Sequence, residues 1–176
     1  ETIFVWGAGS GVGTMAIQIA KVKGCQVIAT GGNEAKRAHA KSIGADLVLD
    51  HYHDDIAKSV KEFTEGRGAD LVFEHVGKAT WETSLRILGK GGRLVTCGAT
   101  TGPAVGIDIR HLFFKQQTIM GSTMGDVAAF DDCLTLVADG KIKPVVDKSF
   151  PLSEIKLAHE HLENGGQIGK VILIPE

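Results

Sequence analysis

The stretch Ile3-Phe4-Val5-Trp6-Gly7-Ala8-Gly9-Ser10-Gly11-Val12-Gly13, with the segment up to Ala20 that follows it, decides how this chain folds. Ile3 to Trp6 is a short apolar run that ends in glycines, the pattern of a strand buried on both faces. Val12, Met15, Ala16, Ile19 and Ala20 then recur at helical spacing, with Gln18, Lys21 and Lys23 on the opposite side. A glycine loop between a strand and a helix is the setting in which main-chain amides and the positive end of the helix dipole cradle a phosphate. Bare glycines let that backbone approach the anion closely. The strict G-x-G-x-x-G spacing is not met, because counting back from Gly13 places Ser10 and Ala8 where glycines would stand. Both are small, and the Ser10 hydroxyl can donate. A tight strand-to-helix turn that holds no ligand is the plainer alternative.

The alternation continues along the chain. Val27 to Ala29 reads as a second strand, and Asn33 as the N-cap of a second helix lined by Ala35, Ala38 and Ile43 and closed by Gly44. Leu47 to Leu49 is the third strand, Ile56, Val60 and Phe63 form the inner face of a third helix, and Leu71 to Phe73 is the fourth strand. Trp81, Leu85 and Leu88 mark a helix ended by Gly89, before a fifth strand at Arg93 to Cys97. Thr118 to Gly121 is the sixth strand, followed by a helix that turns Phe130, Leu134 and Val137 inward. Trp6, Phe73 and Phe130 are expected in the core, as is Cys97, read as a small apolar residue. Parallel neighbours need crossover connections, so residues 1–140 predict an α/β fold with a doubly wound parallel Rossmann sheet in the order 3-2-1-4-5-6. Residues 141–176 differ. Val145 to Phe150, a helix from Ser153 to about Leu162, a turn at Asn164 to Gly166 and a strand Lys170 to Ile174 read as a strand-helix-strand appendage.

The 176 residues, 43% of them apolar, suit one full domain with a small addition. A net charge of −2, from 19 basic and 21 acidic residues spread evenly, leaves no footprint for nucleic acid or an anionic membrane. No apolar run approaches the roughly 18 residues of a membrane span, and the N-terminus lacks a basic region followed by an apolar one. Cys25, Cys97 and Cys133 are far apart and form no C-x-x-C pair, which argues against a disulfide framework and a zinc knuckle. His51-x-His53 and His159-x-His161 have no cysteine or carboxylate cluster beside them, and residues two apart on a helix point away from each other. The expectation is a cytoplasmic protein with no metal site. Because Glu1 leads at once into an apolar run, the chain is also expected to be cut from something longer.

No Lys followed by Ser or Thr closes the glycine loop, which disfavours nucleoside triphosphate hydrolysis. Dinucleotide sites commonly place an acidic residue for the ribose hydroxyls at the end of the second strand. Here that region is Ala29-Thr30-Gly31-Gly32-Asn33. With no carboxylate to repel it, a 2′-phosphate is tolerated, and Lys36 or Arg37 can neutralise it, so NADP(H) is expected ahead of NAD(H). Alternatively, Gly31 and Gly32 only turn the chain and the two cations are solvated. Glu74-His75 ends the fourth strand, where open sheets bind ligands, and either touches a cofactor or hydrogen-bonds loop backbone. Phe113 and Phe114 face either the ligand side or another domain.

The glycine loop with Ala16-Ile17-Gln18-Ile19-Ala20-Lys21, then Ile43-Gly44-Ala45-Asp46, Val76-Gly77, Gly91-Gly92-Arg93-Leu94-Val95 with Gly98, and Gly169-Lys170-Val171 resemble the medium-chain dehydrogenase/reductase superfamily. Leu112-Phe113-Phe114-Lys115-Gln116 and Gly121-Ser122-Thr123-Met124 are most similar to its quinone oxidoreductases and zinc-type alcohol dehydrogenases. The resemblance implies the cofactor-binding domain alone, without the N-terminal catalytic domain that supplies substrate contacts and any zinc ligands. It implies that Ser10, Gly11, Val12 and Gly13 hold the pyrophosphate with Lys170, that Gly31, Gly32 and Asn33 meet the adenosine ribose, and that His51 or Tyr52 lies beside the adenine. Val76 and Gly77 would lie on the adenosine side, and Gly98, Ala99, Thr100, Ser122 and Thr123 near the nicotinamide. It further implies hydride transfer to or from a carbonyl or conjugated C=C substrate, only with the missing domain present, and a homodimer paired at the strand-six edge. No residue is a secure catalytic acid or base, and the fragment alone is expected to be inactive. The competing reading is a non-catalytic nucleotide-sensing module.

Overall fold

A computed structural model describes residues 1–175. The first unit is β1 (Thr2–Val5), a glycine loop and α1 (Gly11–Val22), followed by β2 (Gln26–Thr30) and α2 (Glu34–Ser42). Next come β3 (Leu47–Leu49), α3 (Ile56–Phe63), β4 (Ala69–Glu74), α4 (Trp81–Ile87) and β5 (Leu88–Thr96). A short α5 (Ile109–Phe114), β6 (Thr118–Gly121) and α6 (Val127–Ala138) complete the main body. The first six strands form one parallel sheet in the order β3-β2-β1-β4-β5-β6, as the alternating pattern predicts.

Side chains alternate across the strands and build a core on each face. Phe4, Trp6, Ile28, Val72 and Leu94 pack with Ile56 and Val60 of α3 and Trp81 of α4. Val5, Val27 and Ala29 pack on the other face with Ile17 and Ala20 of α1 and Ala40 of α2. Burying a side chain such as Ile17 or Phe4 in full contributes about 1.5–3 kcal/mol each, so these two layers carry most of the cohesion.

Four local expectations need correction. Ala35 and Ala38 of α2 are exposed and Ala40 is its buried residue, because alanine marks neither face of a helix strongly while Lys36 and Arg37 turn toward the sheet end. Gly89 does not cap α4. The helix ends at Ile87 and runs straight into β5, where the register jumps from Leu88 opposite Ala69 to Arg93 opposite Leu71. Phe130 and Leu134 of α6 point to solvent, at 61% and 49% exposure, since periodicity reveals an apolar face and not what covers it. Cys97 lies just beyond β5 and is exposed, with partial burial and nearby Glu74 pushing its thiol pKa up.

The last segment forms a separate two-stranded parallel sheet from β7 (Val146–Pro151) and β8 (Lys170–Ile174), joined by a 3-10 turn (Leu152–Glu154) and α7 (Ile155–Glu163). It docks back on the main body. Gly169 N donates to Gly9 O at 2.9 Å, and Gln18 of α1 exchanges two hydrogen bonds with the Lys143 backbone. Among the described residues no helix is long and apolar enough to cross a membrane.

Candidate functional site

The carboxyl ends of β1 to β6 open on one side of the parallel sheet, and the loops leaving them, with the first turns of α1 and α2, carry all the cofactor-site residues expected from the sequence except Lys170, which comes from β8. The glycine loop turns at Gly7, whose φ of +60° suits a residue without a Cβ. It is pinned by Ala8 N donating to Thr30 O at 2.8 Å and by Gly7 N donating to Thr30 Oγ1 at 3.2 Å. Ser10 is the N-cap of α1, its Oγ accepting from Gly13 N at 2.9 Å, which leaves the hydroxyl hydrogen available. The amides of Gly11 and Val12 meet no acceptor among the described residues and stand at the positive end of the helix. Gly13 sits against the loop itself, with Gly7 O and Ala8 Cα where a side chain would begin.

Two lysines flank this loop. Lys36, in the first turn of α2, crosses Gly9 and reaches the Gly165 carbonyl in the turn before β8. Lys170 covers Gly11, so its ammonium lies over the start of α1. Arg37 behaves differently from its neighbour. Its guanidinium pairs with Asp50 at 2.5 Å and donates to Gly31 O at 3.3 Å. Asn33 caps α2, accepting from Lys36 N. The expected pair of cations is therefore split, with Lys36 alone lining the opening.

A cavity of about 360 Å³ runs beside the loop, bounded by Gly9 and Ser10, Gly31 to Asn33, Lys36, His51 and Tyr52. A second, of about 540 Å³, shares Gly7, His51 and Tyr52 with the first and continues past Trp6, Val76 and Thr80. Gly32 lies so close beneath the His51 and Tyr52 rings that a Cβ there would stand 2.8 Å from each. The half-buried His51 has its pKa lowered, first by burial, which keeps the ring neutral near pH 7. Tyr52 is 73% exposed and forms a projecting wall.

Val76 and Gly77 are held by a buried carboxylate. Glu74 Oε1 accepts from Val76 N at 2.6 Å and Gly77 N at 3.1 Å, while Oε2 accepts from Thr80 Oγ1 at 2.8 Å and Ser84 Oγ at 2.7 Å. Ser84 Oγ in turn accepts from Trp6 Nε1 at 2.8 Å. Of the two roles open to Glu74-His75, both side chains take the backbone-holding one. Glu74 is fully buried, and His75 Nε2 meets Trp6 O at 2.9 Å. Gly98, Ala99 and Thr100 follow β5 against this loop, with Thr100 Oγ1 donating to His75 O. Ser122 and Thr123 leave β6 alongside, Ser122 N donating to Thr96 O at 2.9 Å. These five residues share the site's side of the sheet without lining either cavity.

The sequence pattern missed Gln167 and Gly165, which close the first cavity from the appendage. The Gln167 Oε1 atom is buried there without a hydrogen-bond donor among the described residues. The only local signal was a glycine-containing turn, which does not reveal where the turn docks.

Residues 11–139 match the family model described as zinc-binding dehydrogenase. The chain belongs to that family. It is the cofactor-binding domain of the medium-chain dehydrogenase/reductase superfamily. A quinone oxidoreductase of Pseudomonas aeruginosa is 34% identical over 99% of this chain and 57% of its own length. The crystal structure of an NAD-dependent alcohol dehydrogenase superposes with a TM-score of 0.92 at 40% identity, over 98% of this chain and 50% of that one. The Escherichia coli quinone oxidoreductase complexed with NADPH superposes with a TM-score of 0.88 at 30% identity, over 99% and 57%. The chain thus spans about half the length of the relatives it matches. The zinc of the family's description finds no donor set among the described residues. Among the described residues no group of three or more His, Cys, Asp or Glu could hold a metal ion.

Proposed function

We propose that this zinc-binding dehydrogenase domain holds NADP(H) for hydride transfer between nicotinamide and a carbonyl or carbonyl-conjugated double bond, with substrate contacts supplied from outside residues 1–176. The observation that carries the cofactor preference is the cavity beside the glycine loop. Lys36 and His51 line it, and among the described residues no Asp or Glu does. A 2′-phosphate there meets a cation and no repelling carboxylate. The relatives include both an NAD-dependent alcohol dehydrogenase and an NADPH-complexed quinone oxidoreductase, so support for NADP(H) comes from the lining of this cleft.

In this reading the free amides of Gly11 and Val12, the Ser10 hydroxyl and Lys170 receive the pyrophosphate, with Gly13 allowing α1 to approach. Gly31, Gly32, Asn33 and Lys36 receive the phosphorylated ribose, and Arg37 supports them from behind through Asp50 and Gly31 O. His51 and Tyr52 flank the adenine, Val76 and Gly77 the adenosine side, and Gly98 to Thr100 with Ser122 and Thr123 the nicotinamide. The buried, donorless Gln167 Oε1 is positioned to accept from a ribose hydroxyl. When bound, NADP(H) supplies the hydride, and the domain's residues orient it and neutralise its charge. Calorimetric titration of the chain should give NADPH at least about tenfold tighter than NADH. Lys36→Gln should remove most of that difference by weakening NADPH. Tighter binding of NADH overturns the preference, and binding of neither overturns the reading.

Residues 1–140 and 141–176 are proposed as the cofactor domain and its appendage. Two copies are proposed to pair at β6, which among the described residues pairs only with β5, so that its outer edge is open. Exposed Met120, Val127 and Phe130 supply apolar surface on and after that strand. Sedimentation should show a dimer that Phe130→Asp converts toward monomer, and a monomeric wild-type chain would refute the pairing. Its three unpaired cysteines suit the reducing cytoplasm, where we place the protein.

A further inference from the structure

A third cavity, of about 730 Å³, runs along α3 and α4 from the N-terminus of α3 to the loops that enter β4 and β5 at the end of the sheet away from the glycine loop. Its charge is one-sided. Lys58, Lys61, Arg67, Arg86, Lys90 and Lys115 line it against a single carboxylate, Asp55, which is already engaged as the N-cap of α3 with Lys58 N. The chain as a whole has net charge −2, so this concentration is local.

The arginines sharpen the contrast. Arg37, Arg93 and Arg110 each pair with a carboxylate elsewhere, whereas Arg67 and Arg86, the remaining two, both line this cavity with no carboxylate partner among the described residues. Lys61 and Lys90 likewise have none, and Lys58 reaches only Glu62 on its own helix at 3.9 Å. Lys115 Nζ is spent on the Arg86 and Leu88 carbonyls at 3.2 and 3.1 Å, which leaves its charge uncompensated at the wall.

The backbone around these cations is built closely. Gly68, at φ +84°, packs on Gly89, and a Cβ at Gly89 would stand 2.6 Å from Arg67 O. That contact fixes Arg67 beside Gly89 and Lys90, bringing side chains from two separate loops onto one rim. Gathering like charges on an ordered framework is unfavourable until an anion joins them.

We propose that this cavity is a second anion site, taking a small molecule with two or more phosphate groups. Guanidinium forks match phosphate oxygens in pairs, and a cavity of this size suits a small ligand better than a flat protein surface does. The site stands apart from the proposed cofactor cleft, touching it only through Asp55, Ala57 and Arg86, which also border the second cavity. It does not depend on the NADP(H) reading.

The test is titration of the 176-residue chain with inorganic tripolyphosphate in phosphate-free buffer, with ATP in a parallel arm to show whether a nucleoside adds anything. Saturable binding should weaken about tenfold or more in the double variant Arg67→Gln, Lys90→Gln, while NADPH affinity stays within about twofold. Lys170→Gln and a saturating level of NADPH should leave tripolyphosphate affinity within about twofold. In the unaltered protein saturated with NADPH, the amide signals of Gly66 to Gly68 and Gly89 to Lys90 should shift on addition of tripolyphosphate, and those of Ser10 to Gly13 should stay at their NADPH-bound positions. Absence of saturable binding up to about 1 mM overturns the proposal. So does loss of binding in Lys170→Gln, or shifts confined to the glycine loop, because either places the anion in the cofactor cleft.

Discussion

Gly13→Val should destabilise the chain by about 3 kcal/mol and abolish measurable NADPH binding. A Cβ at Gly13 meets the Gly7 carbonyl and Ala8 Cα, both backbone atoms of the turn that positions α1, so neither can swing aside. Accommodating valine pushes α1 away from β1. That opens the Ser10 cap on Gly13 N and separates Ile17, which is fully buried, from Val5 and Val27. For a chain of this length the loss corresponds to a fall in melting temperature of about 6–12 °C. Gly11→Ala is the matched control. The obstacle there is the flexible Lys170 side chain, so stability should stay within about 0.5 kcal/mol while NADPH binding weakens. Thermal and urea unfolding read the first effect and fluorescence titration the second. A Gly13→Val chain that melts with the wild type would refute the close approach of helix to loop.

Glu74→Leu should cost about 3–5 kcal/mol, although leucine suits a fully buried position by size and polarity. The carboxylate is the acceptor for two amides and two hydroxyls, and through Ser84 it also orders the Trp6 indole. Removing it strands the Val76 and Gly77 amides, each worth about 1–3 kcal/mol, while the Thr80 and Ser84 hydroxyls turn to the Gly77 and Thr80 carbonyls. Glu74→Gln keeps one carbonyl acceptor, and the Thr80 and Ser84 hydroxyls can rotate to accept from its amide, so its cost should be about 1–2 kcal/mol. Urea unfolding of the pair gives the comparison. Equal stability of leucine and wild type would mean that Val76 and Gly77 are held by something else.

The two predictions divide along what could be read beforehand. Gly13 was legible because the need for a bare backbone follows from a strand meeting a helix within a few residues. Glu74 was not, since a carboxylate at the end of a buried strand can equally face a ligand or fold back on its own loop. The choice depended on Thr80 and Ser84, six and ten residues onward, turning their hydroxyls toward it from the start of α4. Lys36 and Arg37 show the same limit within one helical turn. Adjacent in sequence, they diverge because Asp50 captures one and the Gly165 turn meets the other.

Sequence alone determined the alternation of strands and helices and the glycine loop between the first of them, because hydrophobic period, glycine position and helix caps act over three or four neighbouring residues, and the doubly wound class of such an alternation supplied the expected strand order. Tertiary structure decided which charges face the cleft, that the appendage closes it through Gln167, that no other element of the described chain covers the apolar face of α6, and that arginines without a carboxylate partner among the described residues gather at the far end of the sheet. Those outcomes depend on partners 13 to 129 residues away, as with Arg37 and Asp50 or Lys36 and Gly165. A side chain's own neighbours in sequence limit which way it can point, and only the packed fold supplies what it finds there.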